Sequence, residues 1–194
     1  MMADRHAAVS RSTKETQIEL SIDLGGGAVD CHTGIPFFDH MLEQLATHGR
    51  FGLRVNAVGD LEVDAHHTVE DCGITFGSAL LEALGDKRGI RRYGDALVPM
   101  EESLAQVALD ISGRPLLVYG AELGTELIGQ YDVSLTEEFL QAMCRAAGLT
   151  LHVTLVRSKN AHHGVEAIFK GVARALCEAV EIDGDSIPST KGTL

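Results

Sequence analysis

The chain carries His66-His67-Thr68-Val69-Glu70 and repeats this pattern as His162-His163-Gly164-Val165-Glu166. Each stretch is followed by an apolar, small-residue run with the spacing of a helix. On a helix, residues four apart share a face and adjacent residues diverge by about 100°. Each glutamate therefore lies under the first histidine of its pair, while the two imidazoles point to different places. This geometry favours an arrangement in which the two histidines of a pair act at two different centres over one in which they chelate a single ion.

The histidine pairs belong to an internal repeat. The segment His40-Met41-Leu42-Glu43-Gln44-Leu45 matches Glu138-Phe139-Leu140-Gln141-Ala142-Met143, and Leu53-Arg54-Val55 matches Leu151-His152-Val153. The offset is 98 residues up to Leu151 and 96 at the histidines, so the first copy has two extra residues near Gly59-Asp60. Each half reads helix, strand, helix, which is one supersecondary unit used twice.

Hydrophobic period and turn residues give the individual elements. Residues 1–12 are polar and are predicted to be disordered. Helices are predicted at 36–48, 66–84, 134–147 (with a capping box of Ser134 and Glu137) and 162–180. Strands are predicted at 16–24, 28–31, 53–57, 104–111, 116–119 and 151–156, with 61–63 also extended. The strands at 16–24 and 104–111 are each expected to form a hairpin with the short strand that follows.

Strands that lie beside helices, twice over, indicate an α+β fold. We expect a two-layer sheet-and-helix sandwich with a tandem internal repeat. Because two halves of this size would each be small, they are expected to pack as one pseudo-symmetric domain over residues 1–194. The repeat halves are expected at about 10–95 and 96–185, followed by a polar tail at 186–194.

Composition and charge exclude several classes of protein. A net charge of −12 argues against general nucleic-acid binding, which needs a basic face, but permits a phosphorylated substrate if positive charge is concentrated locally. No apolar stretch approaches the roughly 20 residues of a membrane span, and residues 1–12 lack the apolar core of a signal peptide. The four cysteines lack paired spacing, which indicates free thiols in a reducing, cytoplasmic location.

The repeat also places candidate metal ligands. His40 precedes the first histidine pair, and Glu138 takes the corresponding place before the second. The candidate set contains five histidines and three carboxylates: His40, His66, His67, Glu70, Glu138, His162, His163 and Glu166. Mixed imidazole and carboxylate ligation fits two ions of zinc, iron or manganese. The alternative for Glu138 is a first-turn acid that stabilises its own helix.

Positive charge is concentrated at a few places that suit a phosphate. Arg92 ends the densest basic stretch of this acidic chain, Arg114 lies in a predicted turn, and Ser189-Thr190-Lys191 lies in the tail. Forked guanidinium groups, hydroxyls and an ammonium suit a phosphate dianion. Each of these residues alone would more often be an ordinary surface charge.

Five motifs carry a family resemblance. They are Phe38-Asp39-His40-Met41, His66-His67-Thr68-Val69-Glu70-Asp71, Ser112-Gly113-Arg114-Pro115, Lys159-Asn160-Ala161-His162-His163 and Pro188-Ser189-Thr190-Lys191-Gly192. Together they resemble the imidazoleglycerol-phosphate dehydratases of histidine biosynthesis, over roughly residues 10–194. The resemblance implies a hydro-lyase that converts imidazoleglycerol phosphate to imidazole-acetol phosphate. It also implies two Mn²⁺ per active site and a 24-subunit homo-oligomeric shell with active sites at subunit contacts.

The resemblance further implies roles for individual residues. Family ligands fall on all the metal candidates above except Glu138, where many similar proteins have histidine. Catalytic roles fall on Glu15, His40, His67, Glu70, His163, Glu166 and Lys170. Substrate and phosphate contacts fall on Glu15, Arg92, Arg114, Lys170, Ser189, Thr190 and Lys191. Only the resemblance singles out Glu15, as a residue that moves protons, and no function is assigned to Glu101-Glu102.

The expected chemistry uses the substrate's own imidazole. When bound by metal, that ring can become an imidazolate, which expels the hydroxyl through a diazafulvene-like intermediate, so that Lewis acidity replaces an activating carbonyl. Two rival classes remain. A dinuclear phosphatase would also need metals and basic residues but would release phosphate from simple monoesters. A non-catalytic metal store would bind metal without needing Arg92, Arg114 or Lys191.

Overall fold

The computed structural model describes residues 5–194, and within that range the chain forms ten strands and four helices. The first half contains β1 (His6–Ser12), β2 (Thr16–Asp23), β3 (Val29–His32), α1 (Pro36–Gly49), β4 (Gly52–Gly59) and α2 (His66–Leu84). The second half contains β5 (Tyr93–Met100), β6 (Ser103–Asp110), β7 (Leu116–Gly120), β8 (Leu127–Ile128), β9 (Tyr131–Asp132), α3 (Leu135–Ala147), β10 (Thr150–Arg157) and α4 (Ala161–Ala179).

The two halves have the same sheet topology. The first sheet has the order β1-β2-β4-β3 and the second the order β5-β6-β10-β7, while β8 and β9 form a small separate hairpin. In each sheet the strand before the first helix, β3 or β7, runs parallel to its neighbour, and the other pairs are antiparallel. The repeat that the sequence predicted is therefore present at the level of strand order and direction.

Helices cover one face of each sheet and then pack on one another. Helix α2 lies on β1 and β2 with α1 beside β3, while α4 lies on β5 and β6 with α3 beside β7. Across the middle of the molecule, α1 contacts α4 and α2 contacts α3. The buried rings of Phe38, Phe139 and Phe169 meet there, with centroids 5.4 and 5.5 Å apart in successive pairs. The predicted α+β class, with a tandem repeat and sheet-and-helix packing, is confirmed.

Two glycines permit the closest approaches in this packing. A Cβ added to Gly73 on α2 would lie 2.6 Å from the carbonyl oxygen of Phe139 on α3. A Cβ added to Gly94 on β5 would lie 2.0 Å from the carbonyl oxygen of Ala175 on α4. Both neighbours are backbone atoms that cannot rotate away, so these helices sit where they do because the facing residue has no side chain.

Several local predictions are wrong. Residues 6–12, predicted to be disordered, form β1 and pair with β2 over their whole length. The strand β5 was not predicted, and it begins at Tyr93, before the predicted repeat boundary at residue 96. Residues 61–63, predicted to be extended, form a turn in which the Val63 N–H donates to the Asp60 carbonyl oxygen.

The predicted pairing of the short strands is also wrong. Strand β3 pairs in parallel with β4 instead of forming a hairpin with β2, and β7 pairs in parallel with β10 instead of β6. The predicted capping box at Ser134 is absent: this residue has helical angles, and its side chain accepts no hydrogen bond from the helix. The Asp132 carboxylate instead accepts the Ser134 N–H at 2.9 Å, two residues earlier in the chain.

The cysteines are free thiols, as predicted. Within residues 5–194, Cys31, Cys72 and Cys144 are buried and Cys177 is half-buried, with no disulfide between them. Burial raises the pKa of the Cys31 and Cys144 thiols to about 12. None of the helices within residues 5–194 has the length and apolar character that a membrane crossing requires.

Candidate active site

Three predicted ligands come together at the start of α4. His40 on α1 and His162 on α4 direct their Nε2 atoms toward Oε2 of Glu166, at 4.0 and 3.3 Å. The ligand atoms of all three lie within 4.8 Å of one another, which no other group of three or more histidine, cysteine or acidic residues achieves within residues 5–194. The glutamate is buried while both histidine side chains are more than two-fifths exposed, so the cluster opens to one side.

Glu166 is held as a carboxylate. Burial raises its pKa, but a 2.6 Å contact from the Lys170 ammonium and the nearby His40 and His162 outweigh this, so the net pKa lies below the usual value. An ionised, buried carboxylate beside two imidazoles is a donor set suited to a divalent cation. The lysine is one helical turn away on the same face, so its ammonium reaches the carboxylate.

The start of α4 is fixed by side chains. Asn160 caps the helix by accepting the N–H groups of His162 and His163 at 2.9 and 3.4 Å. The ring planes of these two histidines lie at 83° to each other, with centroids 6.0 Å apart. His163 points the other way from the cluster's glutamate and places Nδ1 2.9 Å from Oε2 of Glu102. That contact is the main reason the pKa of Glu102 falls to about 2.

The first half repeats this arrangement with differences. His66 lies 3.7 Å from Glu70, in the place of His162 and Glu166, and its ring lies at 84° to that of His67. The Nδ1 atom of His67 lies 3.0 Å from Asp60 and 3.9 Å from Glu15. The hydrogen bond to Asp60 is the main cause that raises the pKa of His67.

A buried network holds the turn that carries Glu15. Asp71, the last residue of the first histidine motif, accepts from Arg11 Nε at 2.8 Å and from the Thr16 hydroxyl at 2.5 Å. The Thr13 hydroxyl in turn accepts the N–H groups of Glu15 and Thr16. Because Arg11 is on β1 and Thr16 begins β2, this network ties the whole β1–β2 turn to α2 and sets Glu15 beside His67.

Glu138 lies outside the cluster of three ligands. It is half-buried in the first turn of α3, and α3 packs against α2 as α1 packs against α4. By repeat symmetry Glu138 corresponds to His40. Within the described residues it does not form a ligand group of three with His66 and Glu70.

The predicted phosphate residues gather around one carboxylate. Arg92 makes a bidentate contact to Asp110 at 2.7 and 3.2 Å, and Arg114 lies 3.9 Å from the same carboxylate. Arg92 also donates to the Pro188 carbonyl oxygen at 2.8 Å, which docks the tail next to it. Within the tail, the Ser189 hydroxyl accepts the Lys191 N–H at 3.2 Å. Arg92, Arg114 and the Ser189–Lys191 segment therefore share one surface.

Comparison with known proteins identifies the family. The model of the imidazoleglycerol-phosphate dehydratase family matches residues 33–176. The chain belongs to the imidazoleglycerol-phosphate dehydratase family. It is 54% identical to the dehydratase of Ruegeria pomeroyi over 98% of this chain and 100% of that one. It is 53% identical to the Geobacter sulfurreducens dehydratase over 98% of this chain and 99% of that one.

Solved structures of imidazoleglycerol-phosphate dehydratases share the fold. The Staphylococcus aureus enzyme superposes with a TM-score of 0.84 at 40% identity, covering 91% of this chain and 99% of that one. The Pyrococcus furiosus enzyme superposes with a TM-score of 0.84 at 36% identity, covering 96% and 100%. Family membership confirms the predicted class of enzyme, a hydro-lyase of histidine biosynthesis.

Two residues of the site were not predicted from the sequence. Glu102 and Asp60 contact the second histidine of each pair, yet both lie in turns that carry no motif. A signal for Asp60 was present, because it lies in the two-residue insertion that distinguishes the first repeat. The signal for Glu102 becomes visible only when β2 and β6 are aligned.

Proposed function

We propose that the chain removes water from D-erythro-imidazoleglycerol phosphate to give imidazole-acetol phosphate, acting in the cytoplasm. The observation that supports this most strongly is the cluster of His40, His162 and Glu166 in a chain of this family. The donor set can hold a divalent ion, and the separate basic surface around Arg92 can hold a phosphate. A substrate with an imidazole at one end and a phosphate at the other needs both.

The residues present fit two divalent ions, which we propose are Mn²⁺. His40, His162 and Glu166 already point at one place, and Glu138, His66 and Glu70 are their repeat equivalents. His67 and His163 turn their Nδ1 atoms to carboxylates, which leaves each Nε2 as the donor. When bound, the ions would supply Lewis acidity that favours the deprotonated form of the substrate imidazole. The balance of imidazole and carboxylate donors suits Mn²⁺ better than thiolate-seeking metals.

The protein's own groups would handle protons and orientation. The hydroxyl leaves from the carbon attached to the ring, giving a diazafulvene-like species, and a proton leaves the next carbon, giving an enol that becomes the ketone. Glu15, half-exposed on its turn beside His67, would carry a proton in these steps. Lys170, hydrogen-bonded to Glu166, would present an ammonium to the substrate. Arg92, Arg114, Ser189, Thr190 and Lys191 would hold the phosphate and thereby fix the reacting carbons.

The two parts of the site lie far apart in one chain. Glu102, which contacts His163, directly precedes β6, and Asp110, which contacts Arg92, ends it. An extended strand rises about 3.3 Å per residue, so these ends are separated by roughly 25 Å. The three-carbon chain of the substrate spans far less. A complete site therefore requires a second subunit to bring its phosphate surface to the metal ligands.

This requirement supports a large homo-oligomer, which we propose is a 24-subunit shell. The outer face of the second sheet exposes large apolar side chains: Tyr93, Leu97, Leu116, Val118 and Val156. Several large apolar side chains left exposed on one face of a sheet favour an interaction surface there. A second copy of the chain is the partner that would also complete the active site.

The reaction is tested by incubating the protein with imidazoleglycerol phosphate and Mn²⁺. We expect imidazole-acetol phosphate to accumulate with its phosphate intact. Release of inorganic phosphate from this substrate and from simple monoesters would instead establish the dinuclear phosphatase. Metal uptake with no turnover of either substrate would establish a metal store.

Arg92→Ala is expected to raise KM by roughly tenfold or more while leaving metal content unchanged. The variant removes a charge-assisted contact to the phosphate, and it also removes the hydrogen bond that holds the tail at the Pro188 carbonyl oxygen. Arg114→Ala and Lys191→Ala should act in the same direction. Steady-state kinetics with metal analysis measure both effects. Arg91→Ala is the matched control, since that neighbour pairs with Glu178 and Glu181. Kinetic constants unchanged in all three variants would place the phosphate elsewhere.

The Glu138→Gln variant is expected to bind one metal ion instead of two, whereas the Glu138→His variant should bind both. An imidazole can replace a carboxylate as ligand, but a neutral amide is a poor one. Metal analysis after saturation with Mn²⁺ reads the outcome. Glu137→Gln removes the adjacent, exposed first-turn charge and serves as control. If Glu138→Gln retains both ions and full activity, Glu138 is only a helix-stabilising acid.

A further inference from the structure

Aligning the two sheets shows that Glu15 and Glu102 are repeat equivalents. Asp23 at the end of β2 pairs with Gly52, and Asp110 at the end of β6 pairs with Thr150. Gly52 and Thr150 are 98 residues apart, the offset of the repeat. Because β2 and β6 both contain eight residues, the residues that directly precede them also correspond. These residues are the two glutamates, and each lies beside Nδ1 of the second histidine in its own half.

Glu102 connects His163 to the chain that leads into α4. Its Oε2 atom lies 2.9 Å from His163 Nδ1, while Oε1 accepts the N–H groups of Lys159 and Asn160 at 3.3 and 3.0 Å. The preceding residue, Glu101, has a φ of 51°, a left-handed conformation that is uncommon outside glycine. The turn thus adopts an unfavourable backbone angle next to the residue that contacts the histidine.

In the first half, a different residue contacts Nδ1 of the second histidine. The segment between β4 and His66 is two residues longer than the segment between β10 and His162, and the longer segment contains Asp60. Both Asp60 carboxylate oxygens lie near His67 Nδ1, at 3.2 and 3.0 Å, whereas Glu15 is 3.9 Å away. The Asp60 N–H also donates to the Glu15 carbonyl oxygen at 3.1 Å, which fixes the two turns relative to each other.

We propose that Glu102 and Asp60 are positioning residues: they bind Nδ1 of His163 and of His67, and so leave each Nε2 free to bind metal. Because the insertion carries Asp60, Glu15 does not have to bind His67. In the second half the glutamate before the strand holds the histidine. In the first half Asp60 has replaced it, so Glu15 is available to the substrate. The inference rests on the proposed metal site, and it explains why two equivalent glutamates have different roles.

A carboxylate is required at Glu102 because two sets of donors converge on it. Oε1 accepts two backbone N–H groups while Oε2 accepts from His163. In Glu102→Gln only one oxygen remains, so the amide NH₂ group must face one of these donors. If it faces the histidine, the ring proton must move to Nε2, and that nitrogen can no longer bind metal. Carboxylates in this position typically contribute 10–100-fold to metal affinity.

The first test titrates full-length, metal-free protein with MnCl₂ by calorimetry. We expect Glu102→Gln and Asp60→Ala each to lower the affinity for one of the two Mn²⁺ ions by about 10–100-fold. Glu101→Gln and Glu62→Gln remove a neighbouring exposed acid and should bind as the wild type does. Circular dichroism checks that each variant is folded. Failure of the wild type to bind two ions would overturn the proposed metal site itself; variants that match their controls while the wild type binds would overturn only the positioning roles.

The second test reads the histidine ring without metal. Solid-state ¹⁵N spectra of histidine-labelled, metal-free protein should contain Nδ1–H imidazole signals that Glu102→Gln and Asp60→Ala each remove. Spectra in which neither variant changes these signals would overturn the inference whatever the metal data show.

The release of Glu15 has its own readout. At saturating Mn²⁺, Glu102→Gln should recover most of its kcat, because only metal affinity was lost. Asp60→Ala should remain low in kcat, because the Glu15 carboxylate is then attracted toward His67 and away from the substrate without making the two-oxygen contact that Asp60 made. Identical recovery in the two variants would overturn this part.

Discussion

Metal-free protein is expected to have no dehydratase activity, and Mn²⁺ is expected to restore it at two ions per subunit. The reason is that the substrate carries no carbonyl to stabilise the developing negative charge, so the imidazole must be activated by Lewis acids. Both ions should also leave as the pH falls through the histidine pKa range near 6.5, because the ligand rings must be neutral to bind. Activity assays and metal analysis across this pH range measure both effects. One ion or fewer per active subunit after saturation would contradict the dinuclear site.

Metal removal is expected to loosen the assembly as well. One chain gathers only His40, His162 and Glu166 at a single point within residues 5–194. In the proposed assembly, a neighbouring subunit would complete the sites of the remaining candidates. Binding free energy at a site completed by two subunits is part of their association free energy. Light scattering before and after chelation measures the change in mass. Chelated protein that keeps its full mass would show that the ions and the contacts are independent.

Glu15→Gln is expected to lower kcat by roughly 10²–10⁴, the usual contribution of a positioned proton-transfer group. Glutamine keeps the size and hydrogen-bonding reach of the side chain but cannot accept a proton. The turn itself should survive, because it is held by the backbone contacts to Thr13 and by the network of Asp71, Thr16 and Arg11. Steady-state kinetics with Mn²⁺ present give the result.

Glu19→Gln provides the matched control, since Glu19 lies on the exposed face of β2 four residues away. It should leave kcat unchanged. Mn²⁺ content should be the same in both variants and the wild type. A Glu15→Gln enzyme that retains wild-type kcat would mean that another group moves the proton.

The helices and central strands could be predicted from the sequence because their signals are local. Strand β4 alternates buried and exposed residues, and α2 and α4 begin and end within one residue of the predicted positions. His40, His162 and Glu166 were each candidate ligands in the sequence, but the repeat placed His40 with the histidine pair of its own half, whereas the structure brings it to the pair of the other half. Periodicity and repetition thus carried the fold class and the list of candidate ligands, but not which of these ligands meet.

The edge strands β1 and β5 could not be predicted, and for β5 the reason is that its residues look like those of a turn. Strand β5 contains Gly94, Asp95 and Pro99, which normally interrupt a sheet. Each is acceptable here for a tertiary reason: β5 is at an edge, where proline is tolerated, and Gly94 makes room for the Ala175 carbonyl group. The parallel pairs β3–β4 and β7–β10 were missed because a helix separates the partners in the chain, so no turn signal marks them.

The matching sheets and reciprocal helix contacts have a consequence for how the two halves of the chain can differ. Helix α1 contacts α4 as α3 contacts α2, so an approximate twofold axis exchanges the halves. A polypeptide of half this length would present an apolar helix layer to water and would cover it with a second copy of itself, as isologous dimers do. The protein thus reproduces the symmetry of an isologous homodimer within one chain. Because both halves belong to one chain, they can differ in sequence, with histidine at residue 40 and glutamate at residue 138, and with an additional aspartate in one half only.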